Sequence, residues 1–273
     1  MRIAFIGGGN MARAIIGGLV AKGIRASDIT VVEIDGAARL KLAGDFGVTS
    51  VEKPGPQVAS AGIVVMAVKP QHMRAAAEAL APHLGDALVV TIAAGIRLAD
   101  LARWLGGVKR LVRAMPNTPA LVHAGIAGLH APEGVNADDR QAAEDLLAAV
   151  GATLWFEREE DLDAVTAVSG SGPAYVFYAI EALERAAREL GLAEGAASSL
   201  ALWTFVGATK LAIERGEKPE ALRAQVTSKG GTTERALEVL EAARVQDRFV
   251  EAVKAACERS RELGRALGAE GEP

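Results

Sequence analysis

The sequence predicts an α/β chain in two parts, a doubly wound sheet over residues 1–160 and an all-helical domain over 161–273. Three observations predict it. Short β-branched runs alternate with helical patterns as far as Phe156, which is how a doubly wound sheet reads. The run Ala61-Gly62-Ile63-Val64-Val65-Met66-Ala67-Val68 is apolar throughout and does not alternate, as in a parallel strand covered on both faces. From Asp161 onward no strand pattern returns.

Taken in order, 3–6 is a strand that runs into a glycine turn, and Met11, Ala14, Ile15 and Leu19 give the next helix one apolar face. A second strand spans 29–33, a short helix 37–44 and a third strand 48–51. After the 61–68 strand, Pro70 opens a helix to about residue 80. Residues 88–92 form the next strand, which leaves through Ala93-Ala94-Gly95, and 109–114 the one after, which ends in the stiff loop Met115-Pro116-Asn117-Thr118-Pro119. A strand over 124–129, an amphipathic helix over 136–150 and a last strand over 152–156 complete the sheet.

The helical part begins with a pattern over 161–190 that Ser169-Gly170-Ser171-Gly172-Pro173 interrupts, since proline lacks the amide donor. The helix over 193–215 has so few polar positions that it is expected to be buried on most sides. A helix over 219–226 follows, then Thr227-Ser228-Lys229-Gly230-Gly231-Thr232-Thr233-Glu234, where Thr232 or Thr233 would cap a helix to about 243. The final helix covers 246–267, and a frayed tail is expected from 268. A helical domain this apolar is expected to pair with a second copy, giving a homodimer.

Composition narrows the function. Half of the 273 residues are hydrophobic, enough for a sizeable core. The net charge of −4, the lack of a basic run and the 4% aromatic content argue against a nucleic-acid partner. Cys257 is the one cysteine, so no internal disulfide forms, and no metal-ligand pattern is present. No basic leader precedes the first strand and 61–68 is too short to cross a bilayer, so a cytoplasmic protein without membrane contact is expected.

The glycine turn carries the first chemical signal. Gly7-Gly8-Gly9-Asn10-Met11-Ala12 fits the G-x-G-x-x-[GA] spacing of dinucleotide-binding turns. Gly7 turns the chain, Gly9 lets backbone N–H groups approach a pyrophosphate, and Ala12 brings the helix close to the strand. The helix N-terminus then faces the anion. Glu33, 26 positions after Gly7, is placed to accept hydrogen bonds from an adenosine ribose and to repel a 2′-phosphate. Asp35 could serve instead, and a solvated acid is the plain alternative. Lys69, at the exit of the 61–68 strand, stands where ligands of open α/β sheets bind.

Together, the glycine turn, Ala67-Val68-Lys69-Pro70-Gln71, Ala93-Ala94-Gly95, Met115-Pro116-Asn117-Thr118-Pro119, the run from Asp163 to Tyr175 and Gly230-Gly231-Thr232-Thr233 resemble pyrroline-5-carboxylate reductases, in order and over essentially the whole chain. The resemblance implies a Rossmann-type domain, a helical dimerisation domain, and active sites where the two meet across the dimer. It implies NADPH or NADH as cofactor and hydride transfer to the imine carbon of 1-pyrroline-5-carboxylate, giving L-proline in the last step of proline biosynthesis. Cofactor would be lined by Gly7, Gly8, Gly9, Asn10, Met11, Ala12, Ala67, Val68, Lys69, Pro70, Ala93, Ala94 and Gly95, with Gln225 and Val226 near the nicotinamide. Gly231, Thr232 and Thr233 would hold the substrate carboxylate. The Thr233 hydroxyl could also bond the substrate nitrogen, so Thr232 and Thr233 are the candidate catalytic pair. Glu159 or Glu160 falls near a substrate-site acid of the family.

The chain departs from the family in two places. Lys229 stands where proline is usual, and Glu33 and Asp35 stand where members that prefer NADPH often carry small polar or basic residues. NADH use is therefore a live expectation. Two other readings stay open: another two-domain imine or β-hydroxyacid-type reductase, and a non-catalytic dinucleotide-binding sensor. The β-hydroxyacid chemistry commonly uses a lysine on the first interdomain helix, and 161–190 contains none.

Overall fold

The computed structural model describes residues 1–269, in two compact units: 1–171 together with 256–269, and 172–255. In the first unit, β1 (Ile3–Ile6), α1 (Asn10–Ala21), β2 (Ile29–Val32), α2 (Gly36–Phe46), β3 (Thr49–Val51), α3 (Pro56–Ala59) and β4 (Ile63–Met66) come first. They are followed by α4 (Met73–Leu80), β5 (Leu88–Thr91), α5 (Leu98–Trp104), β6 (Leu111–Met115), β7 (Gly125–His130), α6 (Ala137–Ala148), β8 (Gly151–Trp155) and α7 (Asp161–Val165). The strands lie in the order β3-β2-β1-β4-β5-β6-β7-β8. The first six are parallel, β7 runs antiparallel to β6, and β8 is parallel to β7.

That order is the dinucleotide-binding order with two strands added at one edge. The central strands β1 and β4 are apolar throughout and β5 is apolar up to Thr91, because each feeds two cores. Phe5, Val65 and Val90 pack with Ile15 and Leu146 on one face, and Ala4, Val64 and Val89 pack with Met73 and Leu101 on the other. The antiparallel β7 follows from the short link after β6, which turns the chain back without a crossover helix. Helix α5 lies in a stretch read from sequence only as a turn and its sequel. Leu98, Leu101 and Trp104, three apart, are its buried side.

The compact units do not divide where composition changes. Helix α7 and the wide π-type turn Thr166–Gly170 belong with the sheet, where the Asn117 amide donates to the Ser169 carbonyl at 3.2 Å. The expected interruption is this turn, after which α8 starts at Gly172.

The second unit holds α8 (Gly172–Glu189), α9 (Glu194–Arg215), α10 (Pro219–Gln225), α11 (Thr232–Ala242) and the start of α12 (Val245–Ala269). Tyr175 meets Phe249 edge to face at 6.3 Å between ring centroids. Burial of α9 on most sides does not hold within one chain: Ala197 and Ala201 are buried, while Trp203 is 72% and Ile213 82% exposed. Helix α9 is also long and apolar enough to cross a membrane by length and composition. Gly268 and Ala269 are still helical, and the rest of the expected tail lies outside the described residues.

Candidate functional site

The strand order reverses direction at β1 and β4, and ligands of such sheets bind at that point, beyond the carboxyl ends of the strands. Ile6 pairs with Met66, and Met66 with Thr91, so the exits of β1, β4 and β5 lie side by side. Gly7, Ala67 and Ala93 therefore share one edge of the sheet, as their strand positions predict.

The three glycines of the turn have different reasons to be glycine. Gly7 has φ +99°, and a Cβ there would stand 3.0 Å from the Ala67 carbonyl carbon and oxygen. Its N–H donates to the Val32 carbonyl at 2.8 Å, and the Ala67 N–H donates to the Ile6 carbonyl at 2.8 Å. A Cβ on Gly8 would stand 2.6 Å from Leu42 Cδ1. Gly9 is the N-cap of α1, and among the described residues nothing beyond its own chain neighbours lies within 4 Å of where its Cβ would be. Protein contacts thus account for the first two glycines and not for the third. Gly9 is the place where a phosphate can approach the unpaired N–H groups of Asn10 and Met11 at the helix start. Ala12 is buried against the sheet. The turn fits a dinucleotide pyrophosphate.

The structure separates the two acids after β2. The Asp35 carboxylate accepts from the N–H groups of Ala37 and Ala38, so it is the N-cap of α2. Glu33 faces the glycine turn: its Oε2 accepts from the Gly8 N–H at 2.8 Å and its Oε1 from the Asp35 N–H at 2.9 Å. Beside it, Arg39 Nη1 donates to the carbonyls of Glu33 and Ile34 at 2.7 and 3.0 Å.

At the β4 exit, Ala67 and Val68 lead to Lys69 in extended backbone, and Pro70 opens a short 3₁₀ turn before α4. At the β5 exit, Ala93 is buried, Ala94 follows, and Gly95 has φ +76°. A Cβ on Gly95 would meet Leu267 Cδ1 at 3.3 Å and the Gly264 nitrogen at 3.6 Å, so α12 lies directly against this exit.

Glu159, expected near the substrate, is hydrogen-bonded within its own compact unit. Its Oε1 accepts from Arg113 Nη1 at 2.9 Å and from the Leu98 N–H at 2.9 Å. It neutralises a guanidinium that is 1% exposed and caps the first turn of α5 from a distant loop. Burial pushes the Arg113 pKa down, and the Glu159 charge opposes that shift. One oxygen of this carboxylate is thus engaged by a buried arginine and a helix start, and the side chain keeps 18% of its exposure. Glu160, the alternative, is exposed at the start of α7. Sequence reasoning missed Arg113, although a charge inside an otherwise apolar strand pattern was the signal for it. It also missed Arg97, Asp163 and Ser260.

The second unit carries the remaining expected residues. Gln225 ends α10, its amide nitrogen donating to Glu217 at 2.6 Å, and Val226 follows, 64% exposed. Gly230 takes φ +72°, and its N–H donates to the Glu234 carboxylate at 2.6 Å. The N-cap of α11 is Gly231, not a threonine, and a Cβ there would stand 3.0 Å from the Ser228 carbonyl oxygen. Thr232 and Thr233 are the first two helical residues and neither caps the helix through its side chain. Their hydroxyls and the first-turn N–H groups sit together at the positive end of α11.

Comparison with known proteins agrees with these features. A family profile described as pyrroline-5-carboxylate reductase dimerisation matches residues 159–263, and one described as NADP oxidoreductase, coenzyme F420-dependent, matches 2–95. A Pyrroline-5-carboxylate reductase of Pseudomonas aeruginosa is 47% identical over 268 residues, 98% of each chain. The structure of a pyrroline-5-carboxylate reductase from Coxiella burnetii superposes with a TM-score of 0.91 at 40% identity, over 96% of this chain and 98% of that one. A pyrroline carboxylate reductase of Plasmodium falciparum, solved with NADP bound, gives a TM-score of 0.86 at 27% identity, over 97% and 98%. With full-length relatives at this identity, a glycine turn that fits a dinucleotide and the threonine-led start of α11, the chain belongs to the pyrroline-5-carboxylate reductase family.

Proposed function

We propose that the chain reduces 1-pyrroline-5-carboxylate to L-proline, the last step of proline biosynthesis, with NADPH or NADH. The observation that carries the reading is the start of α11, where a glycine cap leaves Thr232 and Thr233 free of capping duty. First-turn N–H groups and the helix dipole suit a carboxylate on a small ring. The Thr233 hydroxyl can accept a hydrogen bond from the N–H of the protonated imine, the form whose carbon is electrophilic. The bound dinucleotide supplies the hydride that this carbon takes up. The protein's own contribution is to place the ring and exclude other geometries. Gly7, Gly8, Gly9, Asn10, Met11 and Ala12 hold the pyrophosphate, Glu33 the adenosine ribose, and Ala67, Val68, Lys69, Pro70, Ala93, Ala94, Gly95, Gln225 and Val226 the rest of the cofactor. Glu159 supports these loops from behind.

The same reading makes the chain a cytoplasmic homodimer. The apolar sides of α8 and α9, with Phe177, Tyr178 and Trp203 exposed in one chain, suit a second copy better than a bilayer, since the matching profile is a dimerisation domain. Light scattering should give at least twice the 28.2 kDa chain mass, without detergent. Trp203→Glu should dissociate the assembly, and a monomeric wild type would sink this part.

The function is tested by following absorbance at 340 nm with pyrroline-5-carboxylate and each nucleotide. Oxidation with stoichiometric proline is expected. Nucleotide binding without turnover would move the assignment to a sensor. Thr233→Val should lower kcat/KM by about ten- to a hundredfold, the worth of one hydrogen bond to a charged group. Its nucleotide affinity should not change. Full activity in this variant would remove Thr233 from the substrate site.

A further inference from the structure

Two partly buried ion pairs stand behind the sheet edge where the cofactor exits converge. One is Arg113–Glu159. The other centres on Asp163 of α7, which is 1% exposed. Its Oδ2 accepts from Arg97 Nη2 at 2.5 Å and its Oδ1 accepts from Ser260 Oγ at 2.8 Å. Ser260 is itself buried, on α12. One turn further along α12, Gly264 lies against the β5 exit: a Cβ there would stand 3.2 Å from the Gly95 oxygen and 3.6 Å from Arg97 Nε.

These contacts form one arrangement. Arg97 directly follows Gly95 and Ile96, so the residue that ends the Ala93-Ala94-Gly95 exit is the one Asp163 grips. Through its other oxygen, Asp163 grips the helix that covers this exit from outside. Arg97 Nη1 is buried and meets no partner among the described residues. Saturation of its donors therefore does not hold the guanidinium in place; the Asp163 carboxylate does.

We propose that Asp163, acting through Arg97 and Ser260, is a positioning residue for the nicotinamide half of the site. It fixes the backbone of Ala93, Ala94 and Gly95, against which the ring lies. The inference rests on the reductase reading. Loosening the exit widens the ring's range of orientations, and the fraction of time in reactive geometry falls, while the adenosine half, held by the glycine turn and Glu33, is untouched.

The test compares whole nucleotides with fragments that lack the nicotinamide. NADH, NADPH, ADP-ribose and 2′-phospho-ADP-ribose are titrated calorimetrically into wild type, Asp163→Asn, Ser260→Ala and Gly264→Ala, and kcat is measured for each. Ser260→Ala leaves the ion pair standing and carries the test where Asp163→Asn fails to fold. Gly264→Ala displaces the exit sterically with every hydrogen bond kept. We expect kcat to fall about tenfold and the reduced nucleotides to bind several-fold more weakly, with the fragments bound as in wild type. Unchanged kcat with only a lowered Tm would overturn the proposal. Equal weakening of nucleotides and fragments would overturn it too, since the lesion would then be a general one at the sheet edge. A wild type that binds none of the four would instead overturn the reductase reading.

Discussion

Replacing Glu159 by alanine is expected to cost about 3–5 kcal/mol of folding stability, a drop in Tm on the order of 10 °C. The reason is the company Glu159 keeps. Arg113 is 1% exposed, deep in β6, and Glu159 is the carboxylate within bonding distance of it. Removing the acid leaves a guanidinium in the core without its counter-charge, and the Leu98 N–H at the start of α5 without its acceptor. Glu159→Gln keeps an oxygen for Leu98 and should cost less. The double variant Arg113→Met with Glu159→Gln should recover most of the loss, because a buried pair removed together takes its desolvation cost with it. Thermal and urea unfolding of the four proteins checks this as a double-mutant cycle. A loss under about 1 kcal/mol in Glu159→Ala would mean that the arginine finds water and does not depend on this carboxylate.

The same residue shows where sequence reading stopped. The parallel sheet was legible because its signal is local: Ile63–Met66 is an unbroken apolar run and Leu88–Val90 nearly so, short, β-branched and bounded by turns, as strands covered on both faces are. The glycine turn was legible for the same reason, with Gly7 held to its identity by φ and by the Ala67 backbone. Helix α5 was missed because seven residues with three buried positions, starting just after a glycine exit, give barely two turns of periodicity. The roles of Glu159 and Asp163 could not be read at all. Each depends on a partner at least 46 positions away, Arg113 for one and Arg97 and Ser260 for the other, and spacing in sequence carries no trace of such a pair. Nor could the cap of α11 be assigned. Threonine and glycine cap about equally well, and what favours glycine is the Ser228 carbonyl oxygen, 3.0 Å from where a Cβ on residue 231 would stand, which spacing in sequence does not show.

Replacing Glu33 by glutamine is expected to shift nucleotide preference toward NADPH by about ten- to a hundredfold in the ratio of kcat/KM values. The carboxylate is fixed by two backbone N–H groups, from Gly8 and Asp35, so it cannot swing away from a ribose placed over the glycine turn. A 2′-phosphate brought within about 4 Å of it meets repulsion of roughly 1 kcal/mol in full solvent and about 4 at the effective dielectric of a protein surface. Each 1.4 kcal/mol is about tenfold, which sets the size of the shift. The sign is reinforced by Arg39, whose guanidinium is held beside the same turn by the carbonyls of Glu33 and Ile34. In Glu33→Gln that positive charge remains, opposed only at 3.9 Å by the exposed Glu52 carboxylate, and an arginine there accommodates a 2′-phosphate. Arg39→Ala should therefore move the ratio the other way. Steady-state kinetics with both nucleotides, at two salt concentrations, reads both variants, and added salt should shrink the two shifts together. A ratio unmoved by Glu33→Gln would confine this carboxylate to bracing the Gly8 turn and take it out of nucleotide selection.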